Sequence, residues 1–85
     1  MKTLTYETHG TCAKYINVAV DDNGVIAAVE FVGGCNGNTS GIASLVRGMK
    51  VEDVLKRLEG IRCGFKNTSC PDQLTKALRE AVAQA

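Results

Sequence analysis

Residues 14–32 read KYINVAVDDNGVIAAVEFV, and this stretch decides the fold that the sequence predicts. Apolar and polar side chains alternate on both sides of the Asp-Asp-Asn-Gly segment at 21–24, as in two strands that each bury one face. Asn-Gly readily takes the positive φ angles of a tight β-turn. The stretch therefore predicts an antiparallel hairpin whose two-residue turn is Asn23-Gly24.

The register of this hairpin follows from its apolar residues. A two-residue turn brings three apolar pairs together on one face: Val20 with Ala27, Val18 with Val29, and Ile16 with Phe31. A three-residue loop would shift the strands by one residue and place Ile16 opposite Glu30, which exchanges the faces of one strand. The first register is therefore favoured, and its extension places Cys12 opposite Cys35.

The remaining elements extend the sheet and then cover it. Leu4 and Tyr6 alternate with polar neighbours and predict an edge strand over residues 3–8. Beyond a glycine-rich loop, helical spacing predicts three helices: one capped by Thr39 or Ser40 and ended by Gly48, one over residues 51–58, and one starting at Pro71. Strands followed by helices predict an α+β domain, with a three-stranded antiparallel sheet and about three helices packed on one face. Residues 1–85 are expected to form a single domain.

The composition limits the classes of function. The net charge is +1 and lysine and arginine nowhere form a run, so a nucleic-acid interface is not expected. No apolar stretch is long enough for a signal peptide or a membrane span. The chain is therefore expected in the cytoplasm, where four cysteines favour metal binding or redox chemistry over structural disulfides.

The four cysteines are predicted to converge at one end of the sheet. Opposed strand residues have Cβ atoms about 5 Å apart, and two thiolates on one tetrahedral metal lie roughly 4 Å apart, so Cys12 and Cys35 can chelate one ion. Cys70 lies at the start of the last helix, where free N–H groups favour a thiolate, and Cys63 lies in the preceding loop. If that helix packs on the apolar face of the hairpin, four sulfurs meet. They would form a zinc site, with an iron–sulfur cluster as the alternative.

Other interpretations of these residues stay open from the sequence. The cysteines could be free buried thiols, which pack as small apolar side chains, and Cys12 and Cys35 could form a cross-strand disulfide. His9 could replace a cysteine as a ligand, or lie exposed near a strand end. Asp72 is interpreted as a favourable charge in the first turn of a helix and not as a catalytic group.

The outer face of the predicted sheet is also fairly apolar. It carries the side chains of Tyr15, Ala19, Ala28 and Val32. An exposed apolar face is typical of a docking or dimer surface. Self-association as a homodimer through this face is therefore one hypothesis.

Residues 68–72 read Thr-Ser-Cys-Pro-Asp, the string after which the TSCPD domain family is named. Similar features are the Gly-Gly-Cys-Asn-Gly-Asn segment at 33–38 and the Arg-Cys-Gly segment at 62–64, so the resemblance covers essentially the whole chain. The same domain occurs at the C-terminal end of some ribonucleotide reductases, notably cobalamin-dependent ones. The resemblance thus implies a link to ribonucleotide reductase and deoxyribonucleotide synthesis.

The chain also resembles the U-type scaffold proteins of iron–sulfur cluster assembly. The shared features run from Cys12 through Val-Asp-Asp-Asn-Gly-Val-Ile at 20–26 to Cys35 and on to the helical tail. This resemblance implies the same α+β fold. It matches Cys12, Cys35 and Cys70 to the three cluster-binding cysteines of the scaffolds.

Two departures from the scaffolds favour stable metal holding over cluster transfer. The scaffolds carry Cys-Gly-Asp where this chain has Cys-Ala-Lys at 12–14, so their acidic ligand is missing. Residues 61–66, which include Cys63, stand in the region of their Leu-Pro-Pro-Val-Lys motif. A fourth thiolate then replaces the usual open position of the scaffold site.

The sequence supports three classes of function. The first is a metal-binding module that is not catalytic alone and is accessory to ribonucleotide reductase. The second is a scaffold or carrier that works with iron–sulfur assembly proteins, and the third is a thiol redox partner that cycles Cys63 and Cys70 as a dithiol. A complete reductase is not expected, because 85 residues leave no room for a radical-bearing barrel or a nucleotide site.

Overall fold

The computed structural model describes residues 1–11, 13–33, 36–62 and 68–83. Strands β1 (Lys2–Glu7), β2 (Ala13–Val20) and β3 (Ile26–Gly33) are followed by helices α1 (Asn36–Val46), α2 (Val51–Leu58) and α3 (Cys70–Ala83). The strands form one antiparallel sheet in the order β1-β2-β3. The predicted α+β class, with three strands and three helices, is confirmed.

The core lies on one face of the sheet, between β2 and α3. Side chains at alternate positions of β2 are buried against a continuous apolar face of α3: Ile16, Val18 and Val20 meet Leu74, Ala77, Leu78 and Ala81. Helix α1 packs beside β3, and α2 packs on α3. Because fully burying one large aliphatic side chain stabilises a fold by about 1.5–3 kcal/mol, this layer is the main apolar contribution to stability.

The hairpin has the predicted register at its centre but a different turn. Ile16 pairs with Phe31 and Val18 with Val29, as the apolar pattern predicts. The turn, however, has three residues, because the Asp21 N–H donates to the Val25 carbonyl oxygen at 2.9 Å. The prediction of a two-residue Asn23-Gly24 turn is therefore wrong.

Two features explain how a three-residue turn coexists with this register. The Asp21 carboxylate accepts hydrogen bonds from the N–H groups of Asn23 and Val25, both at 2.9 Å, which favours the wider turn. Val20 then pairs with Ile26, and Ala19 with Ala28, so one residue of β3 is left over between them. This β-bulge at Ala27 shifts the strands back by one residue.

A second irregularity lies at the opposite end of the hairpin. Tyr15 pairs with Val32, but Ala13 pairs with Gly33, so Lys14 is an extra residue of β2. The bulge places both Ala13 and Ile16 on the buried face. The predicted pairing of Cys12 with Cys35 lies outside the described residues.

The helix bounds differ from the prediction at two places. Helix α1 begins at Asn36, so the expected caps Thr39 and Ser40 lie inside it, and that prediction is wrong. Helix α3 begins at Cys70, one residue before the predicted start, because Ser69 caps it: the Ser69 Oγ accepts a hydrogen bond from the Asp72 N–H at 3.2 Å. Over the described ranges, no helix is long and apolar enough to cross a membrane.

Candidate functional site

Cys70 is the one predicted ligand that the structure describes; Cys12, Cys35 and Cys63 lie outside the described residues. Cys70 occupies the first position of α3 and is 8% exposed. The N–H groups and dipole of a helix start favour the thiolate form of a cysteine at this position. The position of Cys70 at the start of α3 therefore favours the thiolate form that a metal ligand needs.

Four polar residues around Cys70, namely Thr68, Ser69, Asp72 and Gln73, form what we call the polar cluster. Ser69 has two roles in it. Its hydroxyl accepts the Asp72 N–H and also donates to the carbonyl oxygen of Ile61 at 2.7 Å. Ser69 thus caps α3 and ties it to the chain segment that follows α2.

Asp72 is a buried carboxylate whose two oxygens both accept hydrogen bonds. Oδ1 accepts the Gly60 N–H at 2.7 Å, and Oδ2 accepts the Thr68 hydroxyl. Burial by itself raises the pKa of Asp72, but the hydrogen bonds from Thr68 and Gly60 and the charge of Lys76 outweigh it, so the pKa is lowered. The carboxylate is therefore ionised at neutral pH and acts as an acceptor that joins the segment after α2 to α3.

Gln73 connects the polar cluster to the first two strands. Its Nε2 donates to Thr68 Oγ1 at 3.0 Å, and its Oε1 accepts the backbone N–H of His9 at 3.0 Å. His9 belongs to residues 8–11, which we call the β1–β2 connection. The His9 residue itself is exposed, which is one of the two expectations for it.

Gly10 shows how closely the β1–β2 connection approaches the polar cluster. It has a φ of 75°, and a Cβ atom built on it would lie 3.1 Å from Thr68 Cγ2. A side chain at this position would thus meet both the cost of the left-handed conformation and a tight contact. Glycine allows the backbone to lie against Thr68.

The contacts at this end join the chain segments that flank all four cysteines. A Cβ atom on Gly10, two residues before Cys12, would lie 3.1 Å from Thr68 Cγ2, and Ile61, two residues before Cys63, accepts a hydrogen bond from Ser69. On the sheet side, Ala13, which follows Cys12, pairs with Gly33, two residues before Cys35. The flanks of Cys12 and Cys63 therefore lie next to the two residues that precede Cys70, and a flank of Cys35 pairs with the residue that follows Cys12.

The described part of the chain contains no group of three or more His, Cys, Asp or Glu residues that could hold a metal ion. Of the four predicted ligands, Cys70 alone belongs to the part of the chain that the structure describes. Asp72, the carboxylate nearest in sequence, already binds two donors through its two oxygens. It is better suited to organising the segment than to coordinating a metal.

Sequence reasoning identified Cys70 and placed Asp72 in the first helical turn, but it missed the other members of the polar cluster. One signal was present for Ser69, since Ser-x-x-Asp at 69–72 has the spacing of a helix-capping motif. Gln73 has no such local signal, because its partner His9 is 64 residues away along the chain.

The outer face of the sheet is more polar than predicted. Tyr15 and Val32 are paired and exposed at 43% and 40%, but the next row is a chain of hydrogen bonds. In it Thr5 Oγ1 donates to Asn17 Oδ1 at 2.6 Å, and Asn17 Nδ2 donates to Glu30 Oε1 at 2.9 Å. The apolar surface at Tyr15 and Val32 is thereby separated from Ala19 and Ala28, and the homodimer stays a prediction.

Comparison with known proteins adds one finding to this geometry. A sequence model described as the TSCPD domain matches residues 2–82. No curated protein and no solved structure matches the chain. The likeness to the U-type scaffold proteins therefore stays a prediction from the sequence.

Proposed function

The chain belongs to the TSCPD domain family, and we propose that it is a small metal-binding module with one zinc ion held by Cys12, Cys35, Cys63 and Cys70. In this proposal the module has no catalytic activity of its own. It is an accessory to ribonucleotide reductase and so to deoxyribonucleotide synthesis. The link to the reductase rests on the family, and the metal site rests on the chemistry of the residues.

One observation carries the metal site: three close approaches, each within two residues of a cysteine, link the segments that flank the four cysteines. They are the close approach of Gly10 to Thr68, the hydrogen bond from Ser69 to Ile61, and the pairing of Ala13 with Gly33. A two-residue tether of extended chain reaches no further than about 7 Å. This reach is compatible with thiolates that share one ion.

The chemistry of a four-thiolate site favours zinc. A closed tetrahedral set of cysteines is typical of structural zinc, and the helix start at Cys70 favours a ligand in the thiolate form. Zinc also suits a chain of 85 residues, since a domain of this size buries a small core and gains much from a metal. Structural zinc contributes about 10–16 kcal/mol in apparent terms in small domains.

The test is elemental analysis with an absorption spectrum, on untagged protein purified without oxygen. The proposal predicts one zinc per chain, no visible absorption, and four thiols that react only after a chelator is added. Iron with sulfide and visible absorption would show that the site holds an iron–sulfur cluster instead of zinc. That result would favour a scaffold or carrier. Freely reactive thiols without metal would refute the metal site and favour a redox partner that cycles Cys63 and Cys70.

The link to ribonucleotide reductase is tested separately. The zinc-loaded chain and the metal-free chain are compared for binding to purified reductase subunits by sedimentation. We expect a complex with the zinc-loaded chain and a weaker one or none with the metal-free chain. If neither form binds while zinc is present at one per chain, the metal site stands and the proposed partner is wrong.

A further inference from the structure

We infer that Gln73 is a positioning residue for the metal site: its amide, oriented by Thr68, holds the β1–β2 connection against the start of α3 and thereby sets how tightly the metal binds. The inference rests on the proposed metal site. It concerns a residue that holds no metal itself and acts through the backbone before Cys12.

The direction of each hydrogen bond in the polar cluster can be worked out from Asp72. The Thr68 hydroxyl donates its single proton to Asp72 Oδ2. Thr68 Oγ1 then has only lone pairs left for Gln73, so it must face the NH₂ group of the amide. The Oε1 of Gln73 is thereby turned to the opposite side, where it accepts the N–H of His9.

This chain of bonds links two distant parts of the molecule in one orientation only. It runs from the His9 N–H through Gln73 and Thr68 to Asp72, which also accepts the Gly60 N–H. Gln73 is 3% exposed, so its amide has little access to water that could replace these partners. The amide cannot rotate by half a turn without placing a donor against the N–H of His9.

Loss of the Gln73 amide is expected to release one of the segments that flank the cysteines and to leave the attachment of the others unchanged. Without its amide, the bond from Gly60 to Asp72 and the bond from Ser69 to Ile61 persist, so the segment near Cys63 stays attached to α3. The β1–β2 connection would lose the side-chain hydrogen bond that ties it to α3. The expected loss is therefore in the placement of Cys12 relative to Cys70.

A purely structural role for Gln73 would give a different result. It would lower the free energy of unfolding without a specific loss of metal affinity. Thr75 provides the matched control, because it is equally buried on α3 and donates one hydrogen bond, at 2.6 Å, to the carbonyl oxygen of Asp72. That bond lies within α3 and reaches no other segment.

The experiment compares the wild-type chain with Gln73→Met and Thr75→Val, with zinc as the probe. Dissociation constants are measured by competition with a chromophoric chelator, and stability is measured by denaturation of the same samples. Removal of residues that orient metal ligands typically weakens binding 10–100-fold. We expect Gln73→Met to weaken zinc binding roughly tenfold or more, and Thr75→Val to change it less than about twofold at a similar loss of stability.

A second variant tests the direction of the bonds. Gln73→Glu keeps the length of the side chain and an acceptor for His9, but it places a second carboxylate against the one hydroxyl proton of Thr68. We expect weaker zinc binding than in the wild type at neutral pH. Wild-type affinity in Gln73→Glu would show that Thr68 does not orient the amide.

Hydrogen exchange provides a readout that does not depend on metal affinity. In Gln73→Met the amide proton of His9 should lose protection, while that of Gly60, which binds Asp72, should keep it. Equal zinc affinity in the wild type, Gln73→Met and Thr75→Val would overturn the inference and leave the metal site intact. A wild-type chain that binds no metal would instead refute the proposed function, and the inference with it.

Discussion

The two ends of the β2–β3 hairpin are built in different ways. At the turn end, the Asp21 carboxylate binds residues two and four positions further along, and the backbone of the turn and of β3 is hydrogen-bonded to residues 49–51. At the other end, the polar cluster joins segments that are far apart in sequence, such as His9 and Gln73. The turn end thus combines one local side-chain cap with backbone hydrogen bonds, whereas the cysteine end depends on buried side chains whose partners lie far along the chain.

The largest expected effect comes from removing a proposed ligand at the cysteine end. Cys70→Ser should lower both the zinc content and the melting temperature, because structural zinc is worth about 10–16 kcal/mol in apparent terms. Elemental analysis and thermal denaturation check this. Chelator-treated wild type is the control, and the two proteins should then unfold at similar temperatures. Unchanged zinc stoichiometry in Cys70→Ser would contradict the four-ligand site.

A core substitution should affect both ends alike. Leu78 is fully buried between α3 and the sheet, and Leu78→Ala should cost about 2–5 kcal/mol in the free energy of unfolding. Denaturant unfolding measures the loss. The matched control is Val82→Ala on the same helix, which is 39% exposed and should cost much less. Equal losses of unfolding free energy in the two variants would show that Leu78 is not part of the main apolar core.

The polar cluster should respond to the loss of its acceptor. Asp72→Ala leaves the Gly60 N–H and the Thr68 hydroxyl without their partner, at a cost of about 1–3 kcal/mol. Asp21→Ala removes a carboxylate that also accepts two hydrogen bonds, but at a turn open to water, and should cost less. Denaturant unfolding of both variants checks the order. A larger loss for Asp21→Ala would reverse the comparison of the two ends.

Two glycines compare the ends most directly. Gly10 and Gly24 have nearly equal φ angles, 75° and 77°, so alanine meets a similar left-handed strain of about 1–2 kcal/mol at each. Only Gly10→Ala also meets a contact, at 3.1 Å from Thr68 Cγ2. Its loss of stability should therefore exceed that of Gly24→Ala, and only Gly10→Ala should weaken zinc binding. Equal effects on both quantities would show that the β1–β2 connection is not closely held.

The smallest effect is expected at the surface. Arg79 on α3 forms an ion pair with Glu59, and its Nε lies 2.8 Å from Glu59 Oε2. Both side chains are about half exposed, so Arg79→Met should change stability by less than about 1 kcal/mol. Unfolding at low and high salt checks this, because a screened surface pair contributes less in high salt. A change above 2 kcal/mol would contradict a surface role for the pair.

Much of the fold could be predicted because its signals are local. The alternation of apolar residues in β2 and β3 predicts the pairing of Ile16 with Phe31, and the spacing of α2 predicts its bounds correctly. The turn could not be predicted correctly from Asn-Gly alone. Its form depends on the Asp21 side chain and on the N–H of Ile26, which donates to the Met49 carbonyl oxygen at 2.9 Å instead of joining the hairpin ladder.

The candidate site could be predicted only as a set of cysteines. Residue type and compartment predict Cys12, Cys35, Cys63 and Cys70, and the place of Cys70 at a helix start is confirmed. The members of the polar cluster other than Asp72 were missed, because a buried glutamine or threonine has no periodicity that marks it. Their importance appears only when their partners are known.

The α+β class, the central register of the hairpin and the position of Cys70 at a helix start all follow from the amino-acid sequence. These features follow from contacts between near neighbours or from a pattern that repeats along one element. The hydrogen bonds of Ser69 with Ile61, of Asp72 with Gly60 and of Gln73 with His9 become visible in the folded chain alone. The physical reason is that a buried polar group must find a partner wherever the fold brings one, and that partner can lie anywhere along the chain.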